Sequence, residues 1–126
     1  MASAYPALKS PDSNIRLLRI HPSHPLRGIE TSLECASFLE RPQYRALSYT
    51  WGDSKRTKPI TVNGKKMLIT ENLWKALFHI RDRQQAQTLW VDAICIDQSN
   101  DEEKSVQVPL MSFIYSRAKE VLVWLG

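Results

Sequence analysis

The sequence predicts an α/β fold built on a mainly parallel β-sheet in three layers. From Tyr44 onward, segments typical of strands and helices alternate in the order strand, hairpin, helix, strand, helix, strand. Such alternation indicates right-handed crossovers that return the chain to parallel strands. The segment 88–96, TLWVDAICI, is apolar almost throughout, which is typical of a parallel strand covered on both faces.

Two strands are predicted before this alternating part of the chain. Residues 1–14 are small, polar and interrupted by proline, and we expect a flexible tail there. The segments 15–20, IRLLRI, and 30–38, ETSLECASF, have the composition of strands. Prolines and a glycine between them impose a loop. The two segments are predicted to add an N-terminal antiparallel strand pair to the sheet.

The next segments predict a third strand and a β-hairpin insertion. Residues 43–52, QYRALSYTWG, contain an alternating strand pattern. In 58–70, KPITVNGKKMLIT, two β-prone runs flank Asn63 and Gly64. This dipeptide suits the positive φ angles of a two-residue hairpin turn.

Two helices and a last strand complete the prediction. Thr70 is expected to cap a helix that runs to about Arg83 with one apolar stripe. A second helical pattern spans Val106 to Ile114, and Pro109 within it either starts the regular helix or kinks it. Residues 120–126 then form another apolar strand.

The composition indicates a soluble, cytoplasmic protein. Hydrophobic residues make up 43% and charged residues 24%, as in globular domains. Two cysteines in apolar segments suit a reducing compartment, and no apolar segment is long enough to span a membrane. A net charge of +4 is too mild to indicate a nucleic-acid partner. Nucleic-acid binding therefore ranks last among the function classes.

No metal site is predicted. His21 and His24 have a spacing that metal ligands use, but further convergent ligands are missing nearby. The loop from Asp97 begins like a calcium-binding loop. However, Glu102 stands at its glycine position and Val108 at the position of its bidentate glutamate.

The candidate site lies at the carboxyl edge of the predicted sheet. Ligands of open α/β sheets bind outside the carboxyl ends of the strands. The segments 48–53, SYTWGD, and 97–103, DQSNDEE, leave two strands at that edge. Together they bring an aromatic ring and several carboxylates to one rim, as in small-molecule sites.

The acidic residues also have structural interpretations. Asp97 and its neighbours precede a helix, where acids cap free N–H groups. Asp92 lies inside the apolar run, and a buried carboxylate must be hydrogen-bonded, paired or protonated. Asp92 therefore either belongs to the site or anchors the strand, with Arg45 or Arg81 as its partner.

Five segments in order resemble the heterokaryon incompatibility (HET) domain of filamentous fungi. They are YRALSYTWGD, ITENLWKAL, WVDAICIDQ, EEKSVQVPLMSFIYSRA and VLVWLG. The resemblance covers residues 15–126 and implies a HET domain that lacks its C-terminal part. It further implies fungal allorecognition and programmed cell death, through a homo-oligomer or another death-signalling protein. Neither a cofactor nor a membrane is expected to be required.

The HET family is in turn distantly similar to Toll/interleukin-1 receptor (TIR) domains of innate immunity, which have a flavodoxin-like fold. Some TIR domains cleave NAD, so the resemblance implies NAD as a possible nucleotide ligand and an NAD glycohydrolase as the alternative function. Under that alternative, Glu103 and Asp97 are the candidate catalytic residues. The candidate ligand-binding residues are Ser48, Trp51, Asp53, Asp92 and Gln107.

Overall fold

The computed structural model describes residues 5–24, 26–50 and 52–125. Within these residues, seven strands form one sheet. The strands are β1 Asn14–Ile20, β2 Glu30–Ser37, β3 Arg45–Tyr49, β4 Arg56–Val62, β5 Lys65–Thr70, β6 Gln87–Trp90 and β7 Glu120–Trp124. The helices are α1 Glu71–Ile80, α2 Asp92–Cys95, α3 Asp101–Gln107 and α4 Met111–Arg117. The α/β class is confirmed.

The sheet is mixed, with the strand order β5-β4-β2-β1-β6-β3-β7. The pairs β1–β2, β1–β6 and β4–β5 are antiparallel, whereas β2–β4, β3–β6 and β3–β7 are parallel. The prediction of a mainly parallel sheet is therefore wrong. The prediction failed because β1 lies in the centre of the sheet and runs antiparallel to both of its neighbours. The alternation of strands and helices predicts parallel pairing only for strands that are joined by helical crossovers, and these form one half of the sheet.

The N-terminal strand pair and the β-hairpin are confirmed. Strands β1 and β2 pair from Asn14 with Ser37 to Ile20 with Thr31. The hairpin β4–β5 turns at Asn63 and Gly64, whose φ angles are 51° and 77°. Both angles are positive, as a two-residue turn that matches strand twist requires.

The helix α1 begins where the sequence predicts and ends slightly earlier. The Thr70 hydroxyl oxygen accepts a hydrogen bond from the Leu73 N–H at 3.2 Å, which satisfies a free donor of the first turn. The helix ends at Ile80. Beyond it, the Arg81 guanidinium donates to the Arg27 carbonyl at 2.8 Å and holds the chain against the loop after β1.

The buried apolar run is a short strand followed by a helical turn, so the prediction of one long strand over 88–96 is wrong. Strand β6 ends at Trp90, and α2 begins at Asp92. The Asp92 carboxylate lies in the first turn and accepts from the Ala93 N–H at 2.9 Å. Ile94 and Cys95 are fully buried within it. A continuous apolar run thus indicates that a segment is buried, but it does not distinguish a strand from a buried helical turn.

The second helical segment is interrupted at its proline. Helix α3 ends at Gln107, a 3-10 turn covers Val108–Leu110, and α4 begins at Met111. Pro109 lies inside the 3-10 turn. A proline there removes a backbone donor that a regular helix would use, which accounts for the break.

Candidate functional site

The carboxyl ends of the parallel strands β3, β6 and β7 meet at one edge of the sheet. A cavity of about 180 Å³ lies at this edge, between the end of β3, the start of α1 and the loop that follows α2. Its polar lining comes from Tyr5, Tyr49, Arg56, Thr70, Asp97, Gln98 and Ser99. We call it the rim cavity.

The two tyrosines of the rim cavity are neutral hydrogen-bonding groups. Burial raises the pKa of Tyr49 to about 12, and the nearby Asp92 carboxylate adds to this effect. Burial likewise raises the pKa of Tyr5 to about 12. Both phenols stay protonated near neutral pH, so they can orient a ligand but are poorly suited to act as bases.

Asp97 reaches the predicted rim and is already engaged there. Its Oδ1 accepts from the Ser99 N–H at 3.1 Å and from the Ser99 hydroxyl at 2.7 Å. These contacts close a local turn of the kind that aspartate favours. Asp97 also lines a second, open cavity of about 460 Å³, beside Tyr5 and Glu102.

Glu103 is buried in an ion pair with Arg16. The Arg16 Nη1 and Nη2 atoms donate to Glu103 Oε2 and Oε1 at 2.7 and 2.8 Å. Oε2 also accepts from the Asp97 N–H at 2.7 Å. Burial alone would lower the pKa of Arg16, but the hydrogen bond and charge of Glu103 raise it above its ordinary value. Both carboxylate oxygens are therefore occupied by internal donors.

The N-terminal segment 5–13 lies over this ion pair. The Arg16 Nε donates to the Pro6 carbonyl at 2.9 Å, and its guanidinium stacks 5.1 Å from the centre of the Tyr5 ring. The Gln107 side-chain amide donates to the Pro11 carbonyl at 2.6 Å. The segment thus has specific contacts with the domain, while its flexibility stays a prediction.

Asp92 is the first residue of α2 and lies next to Ala93, which lines the rim cavity. Burial raises its pKa above the ordinary value, against the lowering effect of its backbone hydrogen bonds. Neither expected arginine pairs with it. Arg45 donates to the Gln87 side chain at 2.6 Å and lies near Glu120, whereas Arg81 binds the loop after β1. The expectation that Arg45 or Arg81 anchors Asp92 is wrong, because each has other acceptors closer to hand.

The remaining predicted site residues are not brought together at the rim cavity. Ser48 lies opposite Val123 in the sheet, and alternation directs its side chain away from the face of Tyr49. Asp53 is exposed, and its Oδ1 accepts from the Lys55 N–H at 3.0 Å. Gln107 is fully buried and anchors the N-terminal segment. Trp51 lies outside the described residues.

Sequence reasoning missed four residues of this region. Tyr5, Tyr49 and Arg56 line the rim cavity, and Arg16 holds the carboxylate beside it. Arg16 had a usable signal, since strand alternation places it on the same face as the buried Leu18. Tyr5 had none, because it is packed against residues far along the chain.

The rim cavity presents groups that can hydrogen-bond a ligand. The rim cavity offers one cation, one carboxylate that is already hydrogen-bonded, and neutral hydroxyl and amide groups. In the described parts of the chain, no three histidine, cysteine or acidic side chains gather as a metal site. Over the same residues, no helix has the length and apolarity needed to cross a membrane.

Comparison with known proteins decides the family. The family description "Heterokaryon incompatibility protein (HET)" matches residues 44–126. The chain belongs to the HET family. It is also similar to "Heterokaryon incompatibility protein 6, OR allele" of Neurospora crassa, with 42% identity over 134 residues. That similarity covers 95% of this chain and 20% of the relative. No solved structure matches the chain.

The HET match begins at Tyr44, just before β3, and extends through β7. Strands β1 and β2 therefore precede the matched segment, yet β1 lies in the centre of the sheet. The ion pair of Arg16 with Glu103 joins β1 to α3, which is inside the matched segment. The HET part of this chain is thus packed around a strand that comes before it.

Proposed function

We propose that this HET-family chain acts in heterokaryon incompatibility. In this role it carries fungal non-self recognition to programmed cell death, by associating with itself or with another death-signalling protein in the cytoplasm. The observation that carries the proposal is its 42% identity, over 95% of the chain, to a protein named for heterokaryon incompatibility. The chain spans 20% of that relative, so the activity of the whole relative is extended to this chain only as part of this proposal.

The contacts at the rim support association rather than catalysis. Both Glu103 oxygens accept internal hydrogen bonds, and Asp97 Oδ1 is taken by Ser99. The rim cavity of about 180 Å³ is smaller than the 300–1,000 Å³ that is usual for ligand pockets. A signalling module needs no reacting group, and it needs an exposed surface on which a partner can bind.

A TIR-like ancestry of the second half of the chain is part of the same proposal. If β3, β6 and β7 are counted as first, second and third strands, their spatial order is 2-1-3. Flavodoxin-like sheets begin with this order. The parallel pairing of all three strands supports the comparison. The other four strands have no counterpart in it.

Induced expression in Neurospora crassa hyphae tests the proposed role. The wild-type chain is expected to stop growth and to increase the fraction of compartments that take up a membrane-impermeant dye. A Glu103→Ala chain, which we expect to be strongly destabilised, serves as the impaired control, and Glu102→Ala serves as the matched active one. The proposal would be contradicted if hyphae that express the wild-type chain survived as well as hyphae that express Glu103→Ala at the same protein level.

NAD cleavage is a second candidate, supported by Asp97, which lines the rim cavity together with Tyr49 and Gln98. A carboxylate beside the ribose would stabilise an oxocarbenium-like state. Nicotinamide release from purified protein tests it. The candidate requires release that Asp97→Asn abolishes and Glu102→Gln retains, with both variants folded by circular dichroism. No release from folded wild-type protein would remove it.

A further inference from the structure

A further cavity, with two arginines in its lining, lies at the amino edge of the parallel strands. Tyr44 directly precedes β3 there, and Arg117 is the last residue of α4. The volume of the cavity is about 300 Å³, which is the lower end of the range for small-molecule sites. We call it the arginine cavity. Its lining residues are Phe38, Arg41, Pro42, Gln43, Tyr44 and Arg117.

Neither arginine of this cavity has an anionic partner among the described residues. The ion pairs within those residues are Arg16 with Glu103, Arg45 with Glu120, and Lys75 with Glu71. The acids closest in sequence to the two arginines are engaged elsewhere. Glu40 accepts from the Ser37 N–H at 3.4 Å, and Glu120 lies 3.4 Å from Arg45. Two cations that share a cavity without a counter-ion attract an anion to it.

Arg117 is held in place by aromatic rings. Its guanidinium lies 5.0 Å from the centre of the Phe113 ring. Phe113 in turn packs edge-on against Phe38, with ring centres 4.9 Å apart. Stacking on a ring uses the flat face of a guanidinium and leaves the N–H donors in its plane free. The stacked Arg117 therefore keeps its hydrogen-bonding groups available to a ligand.

Tyr44 gives the cavity a rigid base. Its side chain is buried, and its hydroxyl donates to the Ile114 carbonyl at 2.6 Å. Its own carbonyl accepts from the Lys119 N–H at 2.8 Å. Burial raises the pKa of Tyr44 to about 12, so the phenol is neutral and does not repel an anion. A base fixed in this way needs little rearrangement when a ligand binds.

Arg41 has a backbone conformation that an arginine does not favour. Its φ angle is 49°, in the left-handed region that suits glycine. Its N–H donates to the Phe38 carbonyl at 3.1 Å and closes the 3-10 turn Phe38–Glu40, a role that glycine commonly fills. The side chain makes no hydrogen bond or ion pair with the described residues. The fold therefore gives no reason for an arginine at this position, whereas an external anion would give one.

The cavity lies away from the place where the chain leaves the sheet. The chain leaves β7 at the carboxyl edge, and the arginine cavity is at the amino edge. Phe38, which forms one wall, directly follows β2, and three strands separate β2 from β7. A strand added beside β7 would therefore extend the sheet away from this wall.

We infer that the arginine cavity binds a phosphate monoester, with Arg41 and Arg117 donating to the phosphoryl oxygens. Guanidinium groups match phosphate oxygens in both shape and charge, and a dianion balances two cations. The Gln43 amide adds a neutral donor to the same lining. Phe38 and Pro42 provide apolar surface for the organic part of the ester. This inference goes beyond the proposed signalling role and does not depend on it.

Isothermal titration calorimetry with O-phosphoserine, AMP and inorganic phosphate tests the inference in a low-salt, phosphate-free buffer. The folded wild-type chain is expected to bind at least one of the two esters more tightly than it binds inorganic phosphate. Tighter binding of AMP assigns the site to nucleotides, and tighter binding of phosphoserine assigns it to phosphorylated side chains. Absence of binding of both esters, or equal binding of inorganic phosphate, overturns the inference.

Arg41→Gly separates a binding role from a structural one, because it removes the guanidinium and suits the positive φ angle. It should weaken ester binding by about tenfold or more without lowering the free energy of unfolding in urea. Arg117→Lys keeps the charge but loses the planar fork of donors, so it should also weaken binding.

Arg83→Gln is the matched control for net charge. Arg83 is exposed and does not line the arginine cavity, so this variant should bind the ester as wild type does. If Arg41→Gly and Arg83→Gln weaken binding equally, binding follows net charge alone and the inference is overturned. The same holds if Arg41→Gly binds the ester as tightly as wild type.

Discussion

Arg16 of β1 and Glu103 of α3 are 87 residues apart in the chain and form a two-point ion pair of 2.7 and 2.8 Å in the core. Since Glu103 Oε2 also accepts from the Asp97 N–H, the same carboxylate positions the loop at the rim cavity. One ion pair therefore connects the central strand, helix α3 and the candidate site. Its loss should affect the whole domain.

Removing one partner of the pair should be strongly destabilising. Glu103→Ala leaves the Arg16 guanidinium buried without its carboxylate, which typically costs about 3–5 kcal/mol. Urea unfolding followed by circular dichroism measures this loss in the free energy of unfolding. Glu102→Ala, at an exposed neighbouring position, should change it by less than about 0.5 kcal/mol. A cost below about 1 kcal/mol for Glu103→Ala would show that the pair is not formed in solution.

Replacing both partners together should be much less harmful. Arg16→Met combined with Glu103→Leu removes the two buried charges at once, and such exchanges are often neutral or stabilising by about 1–4 kcal/mol. The double variant should therefore be more stable than Glu103→Ala in the same urea assay. If the double variant instead loses as much free energy of unfolding as the two single substitutions summed, the loss comes from broken contacts with the N-terminal segment, such as the Pro6 carbonyl.

Asp92 should make stability fall as the pH rises. Burial raises its folded-state pKa above the ordinary value of 3.8, so the folded state resists its ionisation. The penalty is absent below 3.8, grows as the pH rises to the folded-state pKa, and is constant above it. Asp92→Asn, which keeps an acceptor for the Ala93 N–H, should be more stable than wild type at neutral pH. This gain should vanish as the pH falls below that window.

Asp82 supplies a control of opposite sign for this pH dependence. Hydrogen bonds from the Gln84 and Gln85 N–H groups lower its pKa. Its charge therefore favours the folded state above the unfolded-state pKa, and this benefit is lost as the pH falls through the folded-state pKa. Asp82→Asn should slightly lower stability at neutral pH and have no effect in acid. Equal pH profiles for both variants would contradict the burial of Asp92.

The hairpin turn should require glycine at position 64. Gly64 has a φ of 77°, and a side chain in this conformation costs about 1–2 kcal/mol. Gly64→Ala should lower the free energy of unfolding by that amount. Gly28→Ala is the matched control, since a Cβ at Gly28 meets no atom within 4 Å. That control should be neutral or stabilising by up to about 1 kcal/mol.

The two cysteines should differ in reactivity. Burial raises the pKa of the Cys95 thiol to about 12, while Cys35 is exposed. Only a thiolate reacts quickly with a disulfide reagent such as Ellman's. We expect one thiol per chain to react in the folded protein and both in urea. Rapid reaction of both thiols without denaturant would show that the turn after β6 opens readily.

Local features of the fold were predictable from neighbouring residues. Asn63 and Gly64 determine the hairpin, and the Thr70 hydroxyl determines the start of α1, because each acts within a few residues of itself. The interruption near Pro109 follows from the covalent structure of proline. Asp97 was expected at the rim because it directly follows a buried apolar segment.

Other features depended on contacts between distant segments. The apolar run after Thr88 fits either a strand or a buried helical turn, so only tertiary packing shows that a helix begins at Asp92. Glu103 belongs to an acidic cluster that could as well be exposed, and its burial follows from Arg16. Tyr5 contributes to the candidate site through packing of a segment that looks like an unstructured tail.

The sequence by itself determined the family, the α/β class and each local turn and cap, since these depend on ordered motifs and short-range hydrogen bonds. Tertiary structure alone decided that β1 lies antiparallel between β2 and β6 and that Arg16 pairs with Glu103. The physical reason is that strand neighbours and buried charge partners are selected by long-range burial, which no local pattern encodes.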